Sequence, residues 1–229
     1  MQDKFHLTKE QNIFIAKRSI VDSIWKEAKL EGIAITFPET EEIFYGRTVP
    51  GVSVEDTIAV NNLKHGWHFV LENLDFPIDF SMLCQINKIV GSDALVYGAG
   101  FIRKVPVSIS GTTWKPDMPI ESQIREELTE ILTMEGSTRR AIHLMLYCMR
   151  KQMFIDGNKR TAQLASNQVM IANGAGILSV PVELQLKFRE MLIRFYETNN
   201  AKEISQFVYD YCIEGIDLQK QQQLDELER

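Results

Sequence analysis

The sequence predicts an all-α bundle of helices with one small β-hairpin, either a flap or a plain surface hairpin. Three observations carry this. Apolar residues recur at helical spacing along most of the 229 residues. Helix-starting and helix-ending residues stand where each apolar stripe begins and stops. Only one stretch, within 98–117, alternates and is rich in β-branched residues as strands are.

The elements follow in order. Residues 8–30 read as a first helix, with Thr8 as its cap, Gln11 as the capping-box partner, and Ile13, Ile20, Ile24 and Ala28 near one face. Gly32 ends it, and Thr36 caps a second helix, 37–45, through Pro38 and Glu39. Ser53 caps a long helix, 54–74, striped by Val60, Leu63, Trp67, Val70 and Leu74. His65 and His68 share its i, i+3 spacing. Two histidines so placed can hold a metal, but no carboxylate motif accompanies them, so packing or surface roles are expected. Asp79 caps a short helix to residue 90, with Met82, Leu83, Ile86 and Ile89 inward.

Gly98-Ala99-Gly100 then breaks the helical pattern. Lys104 to Trp114 predicts the hairpin, with Pro106 and Gly111 confining it to an edge. Pro119 opens a helix to Met134, with Ile120, Ile124, Leu128, Ile131 and Leu132 apolar. The helix at 138–152 is nearly all apolar after Arg140, which predicts the centre of the bundle. Its His143 reads as a core or interface histidine. A helix from Asn158 ends at Asn173-Gly174, and two more run over 182–197 and 201–214. The domain reading is one unit, 1–215, with N-terminal helices in 1–50, the flap at 98–117 and core helices at 138–173. A polar, Gln-rich tail, 216–229, follows.

Composition narrows the function classes. The formal net charge of −6 argues against general nucleic-acid binding, though not against a local basic pocket. Cys84, Cys148 and Cys212 lie far apart with no CxxC spacing, which fits reduced, buried thiols in a cytoplasmic protein. No run approaches the roughly 18 apolar residues of a membrane span. Met1 to His6 contains no apolar signal core.

Chemistry concentrates in Gln152-Met153-Phe154-Ile155-Asp156-Gly157-Asn158-Lys159-Arg160-Thr161-Ala162, a turn between two helices. Gly157 takes positive φ without steric cost, and Asn158 tolerates it. Such a turn at a helix start aims backbone N–H groups at one point, where the helix dipole adds positive potential. Lys159 and Arg160 bring full charges beside it, and Asp156 stands where a metal ion would be held. The alternative is a plain helix–turn–helix joint with a capping Asp and solvated cations.

Here the residues carry a resemblance. Phe154-x-Asp156-Gly157-Asn158-Lys159-Arg160 after an apolar helix is similar to the Fic/Doc (Fido) motif, His-x-Phe-x-Asp-(Gly/Ala)-Asn-(Gly/Lys)-Arg. The stretch Gly100-Phe101-Ile102-Arg103, then Val105-x-Val107-x-Ile109-x-Gly111, resembles that family's flap. Together they extend the likeness over roughly 28–212. The resemblance implies a helical bundle that transfers AMP, another nucleotide moiety or phosphate to a protein hydroxyl. It implies that Phe154 anchors the turn and that Asp156 holds Mg²⁺ on the nucleotide's phosphates. Backbone N–H groups around Gly157 and Asn158 would form the anion hole, and Arg160 would pair with a terminal phosphate. Flap residues Val105, Val107, Ile109 and Gly111 would align a target segment by strand addition.

The chain departs from the pattern in three places. Gln152 stands at the position of the family's general-base histidine, followed by Met153 where proline is common. A carboxamide has no usable basicity near neutral pH, and losing a general base costs about 10²–10⁴-fold in rate. His143 lies nine residues earlier, about 13 Å along a helix. Lys159 resembles the phosphate-transferring toxin Doc, whereas family members with glycine there mostly transfer AMP. Gln163 replaces a further arginine that grips phosphates. Many relatives also carry an inhibitory Ser/Thr-x-x-x-Glu-(Gly/Asn). Glu31-Gly32, with Glu27 at the hydroxyl position, sits where that motif would fall, and Gln163 would deny Glu31 its usual partner. Glu31 merely ending a helix is the competing reading.

The implied function is a divergent Fic-domain protein, a pseudoenzyme that keeps a phosphate or nucleotide–Mg pocket and acts by binding or regulation. The alternative is an active transferase moving AMP, another NMP or phosphate from a nucleotide to a Ser, Thr or Tyr hydroxyl of a target protein. A third reading is a structural scaffold whose motif is a relic. ATP or another nucleotide with Mg is the implied cofactor. A bacterial cytoplasmic setting of toxin–antitoxin type is expected, with a second copy or a regulatory protein as partner and neither nucleic acid nor membrane.

Overall fold

The computed structural model describes residues 1–93 and 95–216; all of the tail expected at 216–229 except Ile216 lies outside the described residues. Ten helices build the described part: α1 (Lys9–Arg18), α2 (Ile20–Glu31), α3 (Phe37–Phe44), α4 (Val54–Glu72), α5 (Phe80–Val90), α6 (Glu121–Leu132), α7 (Ser137–Lys151), α8 (Asn158–Ala172), α9 (Gln185–Thr198) and α10 (Lys202–Tyr211). Two short strands, β1 (Ile177–Leu178) and β2 (Ile213–Glu214), pair antiparallel, Ile177 opposite Glu214. The all-α bundle is therefore as expected.

The caps fall where the sequence puts them. Thr8 and Thr36 each close a capping box, with Gln11 and Glu39. Ser53 and Asp79 accept from the backbone N–H three residues on. Gly32 ends α2 in the left-handed region at φ 92°. The stripe Val60, Leu63, Trp67, Val70 and Leu74 is buried, and His65 and His68 are both exposed.

Several expectations are corrected. The helix expected over 8–30 divides at Ser19, whose hydroxyl donates back to Ile15 O (2.8 Å) in a non-helical conformation. The helix expected over 182–197 begins with a 3-10 turn, Val182–Leu184. The last helix stops at Tyr211, because Ile213–Glu214 leaves to pair with β1.

The hairpin expected at 98–117 contains no strand; turns and extended chain take its place. The physical reason is Arg103. This buried guanidinium donates to Val105 O (2.9 Å), Pro116 O (3.4 Å), Asp117 O and, through Nε, Gln152 O (2.6 Å). Both ends of the segment are tied to one cation and to the motif turn, so they do not pair with each other. The segment lies on α9 instead, with Trp114 stacked on Tyr196 (5.8 Å between rings) and Thr112 donating to Glu197 (2.8 Å).

The axis of the bundle is α8. Thirteen of its fifteen residues are buried, against nine of fifteen in α7, which sequence reading put at the centre. Periodicity could not show this, because α8 carries Gln163, Ser166, Asn167 and Gln168. Three of these side chains bond internally, although Gln168 Oε1 has no partner. Asn167 exchanges two 2.8 Å bonds with the backbone of Leu178, and Gln168 donates to Asn73 O and Phe76 O. Ser166 donates to Ala162 O. α7 runs alongside α8, while α4, α5 and α2 cover its other faces.

Candidate phosphate-binding site

The turn between α7 and α8 is locked by its own side chains. α7 ends at Gln152, in the left-handed region at φ 48°. Its carboxamide donates to Met149 O (2.6 Å) and accepts from Asn158 Nδ2 (3.2 Å). Asn158 is buried, accepts from Phe154 N–H (3.0 Å) and donates to Phe154 O (2.9 Å). Phe154 is itself inserted in the core. Gly157, at φ 76°, then starts α8, and Thr161 N–H returns to Gly157 O (2.9 Å).

This geometry leaves donors free. Among the described residues, nothing accepts from the backbone N–H groups of Asn158, Lys159 or Arg160. They form the start of a fifteen-residue helix, the arrangement that attracts anions. Asp156 projects outward with its side chain 61% exposed. Its Oδ2 accepts from Arg160 Nη2 (3.2 Å), which leaves Oδ1 open. One open carboxylate suits Mg²⁺, which commonly binds through one or two carboxylates plus substrate phosphates. The described residues hold no group of three or more acidic, His or Cys side chains that could cage a metal alone.

The two cations differ in use. Arg160 is buried, donates to Val90 O (2.8 Å) at the end of α5 and to Asp156 through Nη2. Its Nε is buried without a partner. Lys159 is half-exposed and turned to the end of α2, where its Nζ lies 3.5 Å from Glu31 Oε2 and 3.4 Å from Leu30 O. Glu31 thus meets the motif after all, through Lys159 and not through position 163. Gln163 is buried, and its Nε2 has no partner. Gly32 is exposed beside this contact.

Beneath it lies Glu27, fully buried on α2. One oxygen accepts from Trp67 Nε1 (3.0 Å); the other has no partner. Burial pushes this carboxyl up to about 8, reinforced by Glu31 and opposed by the Trp67 bond and Arg160. His143 is not part of the site. It lines a separate cavity with Glu127, Tyr147 and Lys151, and burial with Arg139 holds its imidazole below the ordinary range.

Sequence reasoning missed three residues. Asn87 donates to Asp156 O (2.9 Å) and Thr161 Oγ1 (3.1 Å) and accepts from Gly100 N–H (2.8 Å), tying α5, the turn and the flap's start together. An amide inside the apolar stripe of Leu83, Ile86 and Val90 was the available signal. Arg103 is the second, as described above. Arg189, from α9, is the third: its Nη2 donates to Lys29 O and Leu30 O, both at 2.8 Å. In the flap, Val105 is exposed and Val107 and Ile109 half-buried, while Gly111 rests near Ile193.

The fold is a helical bundle with unpartnered backbone N–H groups, among the described residues, at the start of its central helix. Comparison with known proteins finds likenesses to one family. The Fic/DOC family model matches residues 77–170, the segment that holds the whole turn. Fic-1 from C. elegans is similar in structure, with a TM-score of 0.71 and 19% identity, covering 86% of this chain and 62% of that one. A Fic domain containing signaling protein from Bacteroides thetaiotaomicron has a TM-score of 0.68 and 17% identity, covering 89% and 85%. A Fic family protein from Desulfovibrio desulfuricans G20 has a TM-score of 0.63 and 16% identity, covering 87% and 62%. At these identities the likeness shows the fold. The chain spans about 62% of the length of the C. elegans chain. No curated protein matches in sequence.

Proposed function

We propose that this protein is a divergent Fic-domain protein that binds a nucleotide with Mg²⁺ through the α8 cradle and acts by that binding, without ordinary transfer of AMP. The observation that carries this reading is the state of Gln152. The residue at the base position has no basicity, and both ends of its carboxamide are engaged in holding the turn. The binding half of the site is supported by the free N–H groups, Lys159 and the open oxygen of Asp156. A bound Mg²⁺ would neutralise phosphate charge at Asp156. The chain's own residues would orient the phosphates at the α8 start. Segment 105–111, whose backbone N–H groups have no partner among the described residues, would offer an edge to an extended peptide. The expected partner is therefore a protein, either regulatory or a second copy.

The test is incubation with labelled ATP, GTP, CTP and UTP, Mg²⁺ and a bacterial lysate, beside calorimetry. The expected result is nucleotide binding that Asp156→Ala weakens, with no label on protein, and label appearing in Gln152→His. Label transferred by the unaltered chain and lost in Asp156→Ala would establish the active-transferase reading in its place.

A further inference from the structure

We propose that Arg189, on α9, supplies the second phosphate-binding cation that the motif helix lacks at Gln163. The inference rests on the nucleotide pocket proposed above and names a residue of it that lies outside the motif and outside the matched family segment.

A cavity of about 270 Å³ opens between the end of α2, the start of α8, α9 and the flap segment. Its apolar wall is Ile109, Leu192, Ile193 and Tyr196; its charged wall is Lys159, Arg189 and Glu31. Lys159 Nζ and Arg189 Nη2 donate to the same oxygen, Leu30 O, at 3.4 and 2.8 Å. Two cations sharing one acceptor can also share one phosphate, whose oxygens are stronger acceptors than a carbonyl. Gln163 lies one turn after Lys159 on the same face of α8. A cation there would extend the cradle, but Gln163 is neutral and buried. Arg189 comes from α9 and is exposed, so its long side chain can leave the α2 carbonyls without unfolding anything. The apolar wall next to two cations suits a ligand with a flat organic part and a phosphate chain, a nucleoside triphosphate, better than a bare phosphate.

The competing explanation is that Arg189 only caps α2. Calorimetric titration of ATP, ADP and AMP with Mg²⁺ separates the two. Arg189→Ala is expected to weaken ATP by about tenfold to a hundredfold, the usual value of a charge-assisted bond, and to leave AMP within about twofold. Adding Gln163→Arg to Arg189→Ala is expected to restore ATP affinity. Unchanged ATP affinity in a folded Arg189→Ala protein overturns the inference and leaves the pocket standing. Equal loss for ATP and AMP, with a lowered melting temperature and no rescue, assigns Arg189 to the cap and also overturns it. No binding of any nucleotide by the unaltered chain or by Glu31→Gly overturns the pocket itself.

Discussion

Replacing Glu27 by Gln should remove one group's contribution to the loss of stability with rising pH. In the unfolded chain this carboxyl releases its proton near the ordinary value of 4.5, and in the folded protein near 8. Between those values the folded state holds a proton that the unfolded state has lost. Raising the pH therefore favours unfolding, by about 1.4 kcal/mol per pH unit. From pH 5 to pH 8 the loss from this one group reaches about 4 kcal/mol, and above pH 8 it stops growing. Glutamine keeps the shape and the acceptor for Trp67 Nε1 and does not titrate. Urea midpoints of both proteins, taken at each unit from pH 5 to 9, isolate the effect, since other groups are common to both. The stability difference should swing in favour of the variant as pH rises and level off near 8. Parallel profiles would refute the reasoning and mean that Glu27 ionises in the folded protein as it does unfolded.

Two further changes test the frame of the site. Asn158→Ala leaves the buried N–H and C=O of Phe154 and the acceptor of Gln152 unpaired; a loss of about 3 kcal/mol is expected, seen as a fall of about 6–12 °C in melting temperature. Gly174→Ala places a Cβ 1.9 Å from the backbone oxygen of Leu7 at φ 68°, and Leu7 N–H donates to Gly174 O. A loss on the order of 3 kcal/mol is expected in urea unfolding, with faster proteolysis of residues 1–8 as the N-terminal segment lifts away.

Elements whose causes are local were legible in the sequence. Thr8, Thr36, Ser53 and Asp79 each bond within three residues, and the stripe on α4 repeats at helical period, so a one-dimensional reading finds them. The motif turn was legible for the same reason: Gln152, Phe154 and Asn158 bond one another over six residues. The failures are long-range. Arg103 reaches Gln152, and this contact turned an alternating stretch into a pinned loop. Asn167 finds Leu178 and Gln168 finds Asn73 and Phe76, which buries α8 despite its polar composition. Glu31 finds Lys159 in place of the arginine that the motif pattern would supply, and no spacing rule connects residues so far apart.

The locked turn also sharpens what a restored histidine would have to do. Gln152 uses its one oxygen as an acceptor for Asn158 and its nitrogen as a donor to Met149 O. A neutral imidazole likewise has one donor and one acceptor. If it took over both bonds, its lone pair would be occupied by Asn158 Nδ2 and it could accept no proton from a hydroxyl. Gln152→His therefore makes a base only if the ring turns away from Asn158. Histidine tolerates the left-handed backbone there better than most residues, so the turn need not unfold. The two arrangements differ in a measurable way. A ring held by Asn158 should titrate below the usual histidine range, because protonation would break that bond. A ring turned toward Asp156 should titrate above that range. Titration of the new imidazole by NMR, compared with transfer activity in the same variant, decides whether a missing side chain or a turn built around Gln152 withholds the chemistry.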